Sequence, residues 1–240
     1  HSFGELFVDG QQPTAWQHVF ASIQSLSTAR MQGEDLSRFD VVIVDEFHHA
    51  EAASYQRLLE RVAPRLLLGM TATPERTDGL DVRRWFDDRA AFEMRLWDAL
   101  EQRLLSPFQY FGVGEEVDLS ALTWRRGAYA TEELSNLLTG NDMRVRHVLR
   151  QVHDIVEDPR RMRALGFCVS VAHAEFMAKR FNGAGIVSEA VTGGTPSEVR
   201  ADAIRRLRTG EVQVLFTVDL FNEGFDVPEI DTVLFLRPTE

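Results

Sequence analysis

Three short stretches place reactive side chains at the ends of apolar runs. In the first, Val41-Val42-Ile43-Val44 leads straight into Asp45-Glu46-Phe47-His48-His49. Two adjacent carboxylates at a strand end suit phosphoryl transfer. One (Asp45) holds Mg²⁺, usually through water, and the next (Glu46) orients and deprotonates the attacking water. The same pair also suits a structural use, as favourable charge at the start of a following helix. His48 follows where it can relay the state of such a site to a neighbouring element. A zinc pair of His48 and His49 is disfavoured, because adjacent histidines on a helix diverge and no HExxH spacing is present.

In the second stretch, Leu66-Leu67-Leu68-Gly69-Met70 ends in Thr71-Ala72-Thr73-Pro74. Two hydroxyls straddling an alanine can bridge the carboxylate strand to another domain, or can simply cap a strand exit. In the third, Val214-Leu215-Phe216-Thr217-Val218-Asp219 runs into Asn222-Glu223-Gly224-Phe225-Asp226-Val227-Pro228. A strand there enters a glycine-containing acidic loop, which taken alone also describes an ordinary turn.

The elements that must position these groups are legible around them. The runs Val41–Val44, Leu66–Leu68, Gly166–Val169, Val212–Val218 and Thr232–Leu236 are near-continuous rather than alternating, as in strands buried on both faces. Helical periods lie between them: Tyr55, Leu58, Leu59 and Val62, and then Val145 to Val156. Thr195-Pro196-Ser197-Glu198 predicts a helix capped by Thr195 with Glu198 completing a capping box, apolar at Val199, Ala203, Ile204 and Leu207, and closed by Gly210. Strand–helix alternation predicts an α/β fold with parallel sheets, with active groups at the strands' carboxyl ends. The stretch 79–140 breaks this rhythm. Its aromatics Trp85, Phe86, Phe92, Trp97, Phe108, Tyr110 and Phe111 are expected to be buried. Leu96, Leu100 and Leu104 suggest a helix, Pro107–Val113 a strand, and Trp124–Tyr129 a hairpin. The domain boundary is placed near residue 98.

Composition sets limits. The chain has 240 residues, 44% hydrophobic and 26% charged, with a formal net charge of −11. That excludes disorder and disfavours a cationic protein that coats nucleic acid by bulk attraction. No apolar run approaches the ~20 residues needed to span a bilayer. Cys168 is the single cysteine, which excludes an internal disulfide and points to a reducing, cytoplasmic compartment. It reads as a buried strand residue rather than a nucleophile. Of 26 basic residues only Lys179 is a lysine. The basic run Arg144, Arg146, Arg150, Arg160, Arg161 and Arg163 reads foremost as a solvated helix face, with phosphate contacts as the alternative.

In their order along the chain, these stretches resemble superfamily 2 helicases and translocases. Asp45-Glu46-Phe47-His48 looks like motif II, Thr71-Ala72-Thr73 like motif III, and Thr217 to Pro228 like motif V. Ser22 to Leu26 resembles motif Ib, Phe167-Cys168-Val169-Ser170 motif IV, and Thr192-Gly193 the turn that holds a backbone phosphate. The wording Asp-Glu-Phe-His-His with Gly-Phe-Cys-Val-Ser is most similar to the bacterial type III restriction-subunit-like branch. The resemblance implies two RecA-like domains: 1–98 the latter part of the first, and 99–240 a connecting region and the front part of the second. It implies ATP and Mg²⁺ as cofactors and nucleic acid as partner, DNA favoured over RNA. Asp45, Glu46 and His48 would be catalytic, with Asp45 assisting Mg²⁺. Thr71 and Thr73 would couple the domains, and Gly224 and Asp226 would face the nucleotide. Ser25, Ser170, Thr192, Gly193 and Thr217 would bind the nucleic-acid backbone.

The sequence also departs from that family. It has no G-x-x-x-x-G-K-[ST] phosphate loop, since Lys179 lies in Met177-Ala178-Lys179-Arg180, and no QxxGRxxR helix with its arginine finger. The chain is therefore expected to be an internal fragment of a longer enzyme, working with other domains of a parent chain. The alternative is a non-catalytic nucleic-acid-binding module that keeps the fold.

Overall fold

The computed structural model describes residues 3–8, 10–27, 35–73, 82–114, 122–125, 128–222 and 226–238. The chain divides into two compact units, His1–Phe108 and Gln109–Glu240, so the boundary falls later than residue 98. Among the described residues no helix is long and apolar enough to cross a membrane.

The first unit contains two parallel strand pairs. Strand β1 (Glu5–Phe7) pairs with β2 (Val19–Ala21), and helix α1 (Ile23–Ser27) follows. Strand β3 (Val41–Val44) pairs with β4 (Leu66–Gly69) across helix α2 (Ala53–Arg61). A 3-10 turn, Phe47–Glu51, leaves β3, and another spans Val82–Phe86. The apolar runs form strands because each can bury one face on a shared core of Phe7, Leu36, Phe47, Ala50, Leu59, Val62 and Val82. The other face of β3 and β4 is open: Val41, Ile43, Leu66 and Leu68 are 53%, 59%, 57% and 40% exposed.

Helix α3 (Leu96–Glu101) forms where the leucine spacing placed it. Two expectations for this region fail. Pro107–Val113 is not a strand, because no described strand offers it a ladder, and an unpaired extended segment has nowhere to place its backbone hydrogen bonds except water. Phe92, Trp97, Phe108, Tyr110 and Phe111 are exposed rather than buried.

The second unit opens with the antiparallel hairpin β5 (Trp124–Arg125) and β6 (Ala128–Tyr129), as expected. Helices α4 (Thr131–Leu138) and α5 (Asp142–Ile155) follow. Then come β7 (Ala164–Phe167), α6 (Val171–Gly183), β8 (Ser188–Ala190), α7 (Ser197–Thr209), β9 (Val214–Thr217) and β10 (Thr232–Phe235). The four strands make one parallel sheet in the order β10-β7-β9-β8. Helices α5 and α6 contribute to the core that holds Phe181 and Phe216, and α7 to a second core around Leu207 and Leu215. Every residue of the inner strands β7 and β9 is buried, as their unbroken apolar runs require. Gly166 is fixed by contact, since a Cβ there would lie 2.4 Å from the ring of Phe216.

The start of α7 also differs from expectation. Pro196 occupies the cap position and the helix begins at Ser197, so the Thr195 hydroxyl is not a helix cap. It instead accepts from the Thr192 amide at 2.9 Å and tightens the preceding turn. Val199 is exposed, while Gly210 closes the helix at φ +81° as expected.

Candidate functional site

The first unit's candidate site sits where β3 and β4 end together. Backbone bonds from Met70 N to Val44 O (2.9 Å) and from Phe47 N to Met70 O (2.8 Å) tie the two exits. Phe47 is buried against Gly69 and meets Phe86 edge-on. A Cβ at Gly69 would lie 2.8 Å from the Phe47 ring, so the glycine is what admits the aromatic. With Phe47 turned inward, Asp45 stays exposed and Glu46 half-buried. Glu46 has φ +48° and ψ 48°, a left-handed conformation costly for a non-glycine residue and typical of functional sites. Its amide donates to Asp45 Oδ1 at 3.0 Å.

His48 Nδ1 lies 3.3 Å from Glu46 Oε2 and 3.1 Å from Thr71 Oγ1. One ring nitrogen therefore touches both the acidic motif and the hydroxyl at the end of the next strand. Thr71 Oγ1 also accepts from the Thr73 amide at 3.1 Å, while Thr73 itself is exposed. The structure thus brings together Asp45, Glu46, His48 and Thr71. Ser25 lies apart from that cluster on α1, its hydroxyl 3.0 Å from that of Ser22.

In the second unit the candidate residues cluster at the strands' carboxyl ends, with different degrees of access. Ser170 caps α6: its Oγ accepts from the His173 amide at 3.1 Å and lies 2.6 Å from Ser135 Oγ of α4. That hydroxyl is committed to the fold. Thr217 is fully buried, and its Oγ1 has no hydrogen-bond partner among the described residues. Such an orphan is uncommon in a native interior. Thr192 is half-buried, and Gly193 and Gly194 stand exposed before α7. A Cβ at Gly193 would meet nothing within 4 Å. Asp226 is exposed, and Gly224 lies outside the described residues.

Sequence reasoning missed a buried polar cluster beneath this rim. The Arg144 guanidinium reaches His173 Nε2 at 3.4 Å and donates to Leu236 O at 3.1 Å. Burial, with the Arg144 charge added, pushes His173 down to about 4, so the ring is neutral and one of its nitrogens accepts, Nδ1 from the Val169 amide or Nε2 from Arg144. Burial likewise pushes the Cys168 thiol up to about 12, which leaves it inert. The sequence places Arg144 on a solvated basic face; it is buried instead, because its partners come from α6 and from Leu236 just after β10.

The His173 shift has a consequence for stability. The unfolded imidazole takes its proton near 6.5 and the folded one only near 4. Stability from this group is complete above pH 6.5 and is lost as pH falls towards 4, at up to about 1.4 kcal/mol per pH unit. Unfolding free energy measured by denaturant from pH 8 to 4 should show that loss in the wild type and a shallower one in His173→Gln. Parallel curves would contradict it.

Residues 2–76 match the family described as "Type III restriction enzyme, res subunit", and residues 146–240 match "Helicase conserved C-terminal domain". A 51.5 kDa protein of a Lactococcus phage is 31% identical over 203 residues, spanning 83% of this chain and 43% of its own length. The DNA 3'-5' translocase XPB2 of Sulfurisphaera tokodaii is 21% identical, spanning 87% and 54%. This chain therefore spans about half the length of these relatives or less. The fold matches Saccharomyces cerevisiae Dbp5 bound to RNA and ADP BeF3, with a TM-score of 0.54 at 13% identity, covering 97% of this chain and 54% of that one. With these two family matches in this order along the chain, the chain belongs to the superfamily 2 helicases, in the branch of the type III restriction subunit.

Proposed function

We propose that this chain forms part of a nucleic-acid-stimulated ATPase that moves along DNA. The contact of His48 with both Glu46 and Thr71 carries the reading, because it joins a catalytic carboxylate to the exit of the next strand through one imidazole. In this reading Asp45 holds Mg²⁺ through water, and its exposed carboxylate beside the Glu46 amide suits that task. Glu46 orients and deprotonates the attacking water. Bound Mg²⁺ would neutralise charge on the transferring phosphate. Asp226 would face the nucleotide, with Gly224 as its sequence neighbour in the same motif, and Ser25, Thr192 and Gly193 would face the nucleic-acid backbone; the buried Thr217 is left out of that interface. The archaeal relative is a DNA translocase, which favours DNA over RNA here.

The phosphate loop must come from elsewhere, since Lys179 lies on α6. Parallel strands are normally covered on both faces, and β3 and β4 expose Val41, Ile43, Leu66 and Leu68 on one. Further polypeptide of the same first domain would cover that face and supply the loop. The missing lysine equally favours a second reading, a non-catalytic binding module.

The binding half of the proposal has a direct test. Gly193→Glu adds a negative charge at an exposed turn where a side chain has room, so the fold should tolerate it. A carboxylate facing a phosphate should weaken binding about tenfold, equally for unrelated sequences, because backbone contacts carry no base information. Fluorescence titration against several oligonucleotides reads this. Unchanged affinity removes the turn from the interface.

A further inference from the structure

The carboxyl end of the second unit's sheet carries an arginine to which the motifs assign no task. Arg237 follows β10, and its guanidinium crosses the end of β7 to reach the segment leaving β9. Nη1 donates to Val218 O at 3.1 Å and to Asp219 Oδ1 at 3.0 Å, and Nη2 lies 3.5 Å from Asn222 Oδ1. On the way it passes over the Phe167 ring, 5.8 Å from the centroid, and Phe167 stacks on Phe235. The strand bearing Arg237 is itself held: the Leu236 amide donates to Phe167 O at 2.9 Å and Leu236 O accepts from buried Arg144 at 3.1 Å. The segment held this way contains Phe221 at φ +69°, a conformation that does not maintain itself in a non-glycine residue. It begins directly after Thr217, the last residue of β9, and precedes Asp226 in the sequence.

We propose that Arg237 is a positioning residue that fixes Val218–Asn222, and so sets the nucleotide-facing Asp226 that follows this segment in the chain. The inference rests on the motor reading above. A planar fork anchored on a ring and on a backbone carbonyl removes more freedom than a point charge does, so lysine is an incomplete substitute.

The test uses the enzyme that unites this chain with its phosphate loop, assayed at saturating DNA. Arg237→Ala should raise KM for ATP about tenfold, because the segment before Asp226 is then no longer pre-organised for binding. The kcat should change less than about threefold, because ground-state binding is what is lost. Arg237→Lys, which retains a donor for Val218 O, should recover part of the KM. A merely structural role predicts the opposite split, with a lower melting temperature, a smaller active fraction and hence lower kcat at unchanged KM; that result overturns the proposal. Glu46→Gln runs in parallel. Wild-type turnover no higher than that of Glu46→Gln would overturn the motor reading and this inference with it. Wild-type turnover with an unchanged KM in Arg237→Ala would overturn this inference alone.

Discussion

Glu46→Gln is expected to reduce ATP turnover by ~10²–10⁴-fold while ATP and Mg²⁺ binding persist, the range usual for loss of a general base. Glutamine has the shape of glutamate but does not accept the proton of water. The backbone around it should not change. Glu46 is held at φ +48° by its neighbours, with Phe47 buried on Gly69 and the Phe47 amide bonded to Met70 O. None of those contacts involves its carboxylate. The contact that does, with His48 Nδ1, can pass to a hydrogen bond with the new amide oxygen. Asp45 is untouched, so metal binding should survive. Phosphate release at saturating DNA, with nucleotide binding measured separately, reads both halves. Turnover within about threefold of wild type would rule out Glu46 as the base. Joint loss of binding and turnover would instead make it a nucleotide ligand.

The acidic motif was legible because its chemistry depends on local order alone. An apolar strand followed by Asp45 and Glu46 must deliver them at its end, and the structure does so. Thr71 joined them because parallel strands in register end together, Val44 opposite Gly69. The longer apolar runs were read correctly for the same reason. The three-residue strands β1, β2 and β8 were not, since so short a segment has no period to read. Misreadings came where a partner distant in sequence decides the outcome. Nothing in the sequence shows that the Ser170 hydroxyl meets that of Ser135 on α4. Thr217 looks like a strand-end hydroxyl, yet lies fully buried within the sheet's cores. Pro107–Val113 is aromatic enough for a strand but has no described strand to pair with. The clamp of Arg237 onto Val218, Asp219 and Asn222 joins two strand ends across a third, an arrangement only the sheet order creates.

The 240-residue chain by itself is expected to release no phosphate from ATP above a Glu46→Gln control. Phosphoryl transfer depends almost wholly on positioning and electrostatics. Here the positioning groups for the β- and γ-phosphates are absent from the sequence: there is no G-x-x-x-x-G-K-[ST] segment, and so no cradle of loop amides. The one lysine cannot substitute. Lys179 lies near the end of α6, on a groove shared with Val145, Arg146 and Leu149 of α5, and not at the carboxyl ends of the strands. No QxxGRxxR helix occurs either, and an arginine finger is worth ~10³–10⁵ in rate where it has been measured. Asp45 and Glu46 would then present two carboxylates with no bound phosphate to share a metal ion. The open apolar face of β3 and β4 adds a physical expectation, that the isolated chain self-associates with rising concentration. Phosphate release is therefore best measured across a dilution series, with and without DNA or RNA. Turnover of the order of the 1–10³ s⁻¹ typical of enzymes, exceeding the control, would demonstrate a phosphate site within these 240 residues and would remove the need for any polypeptide beyond them.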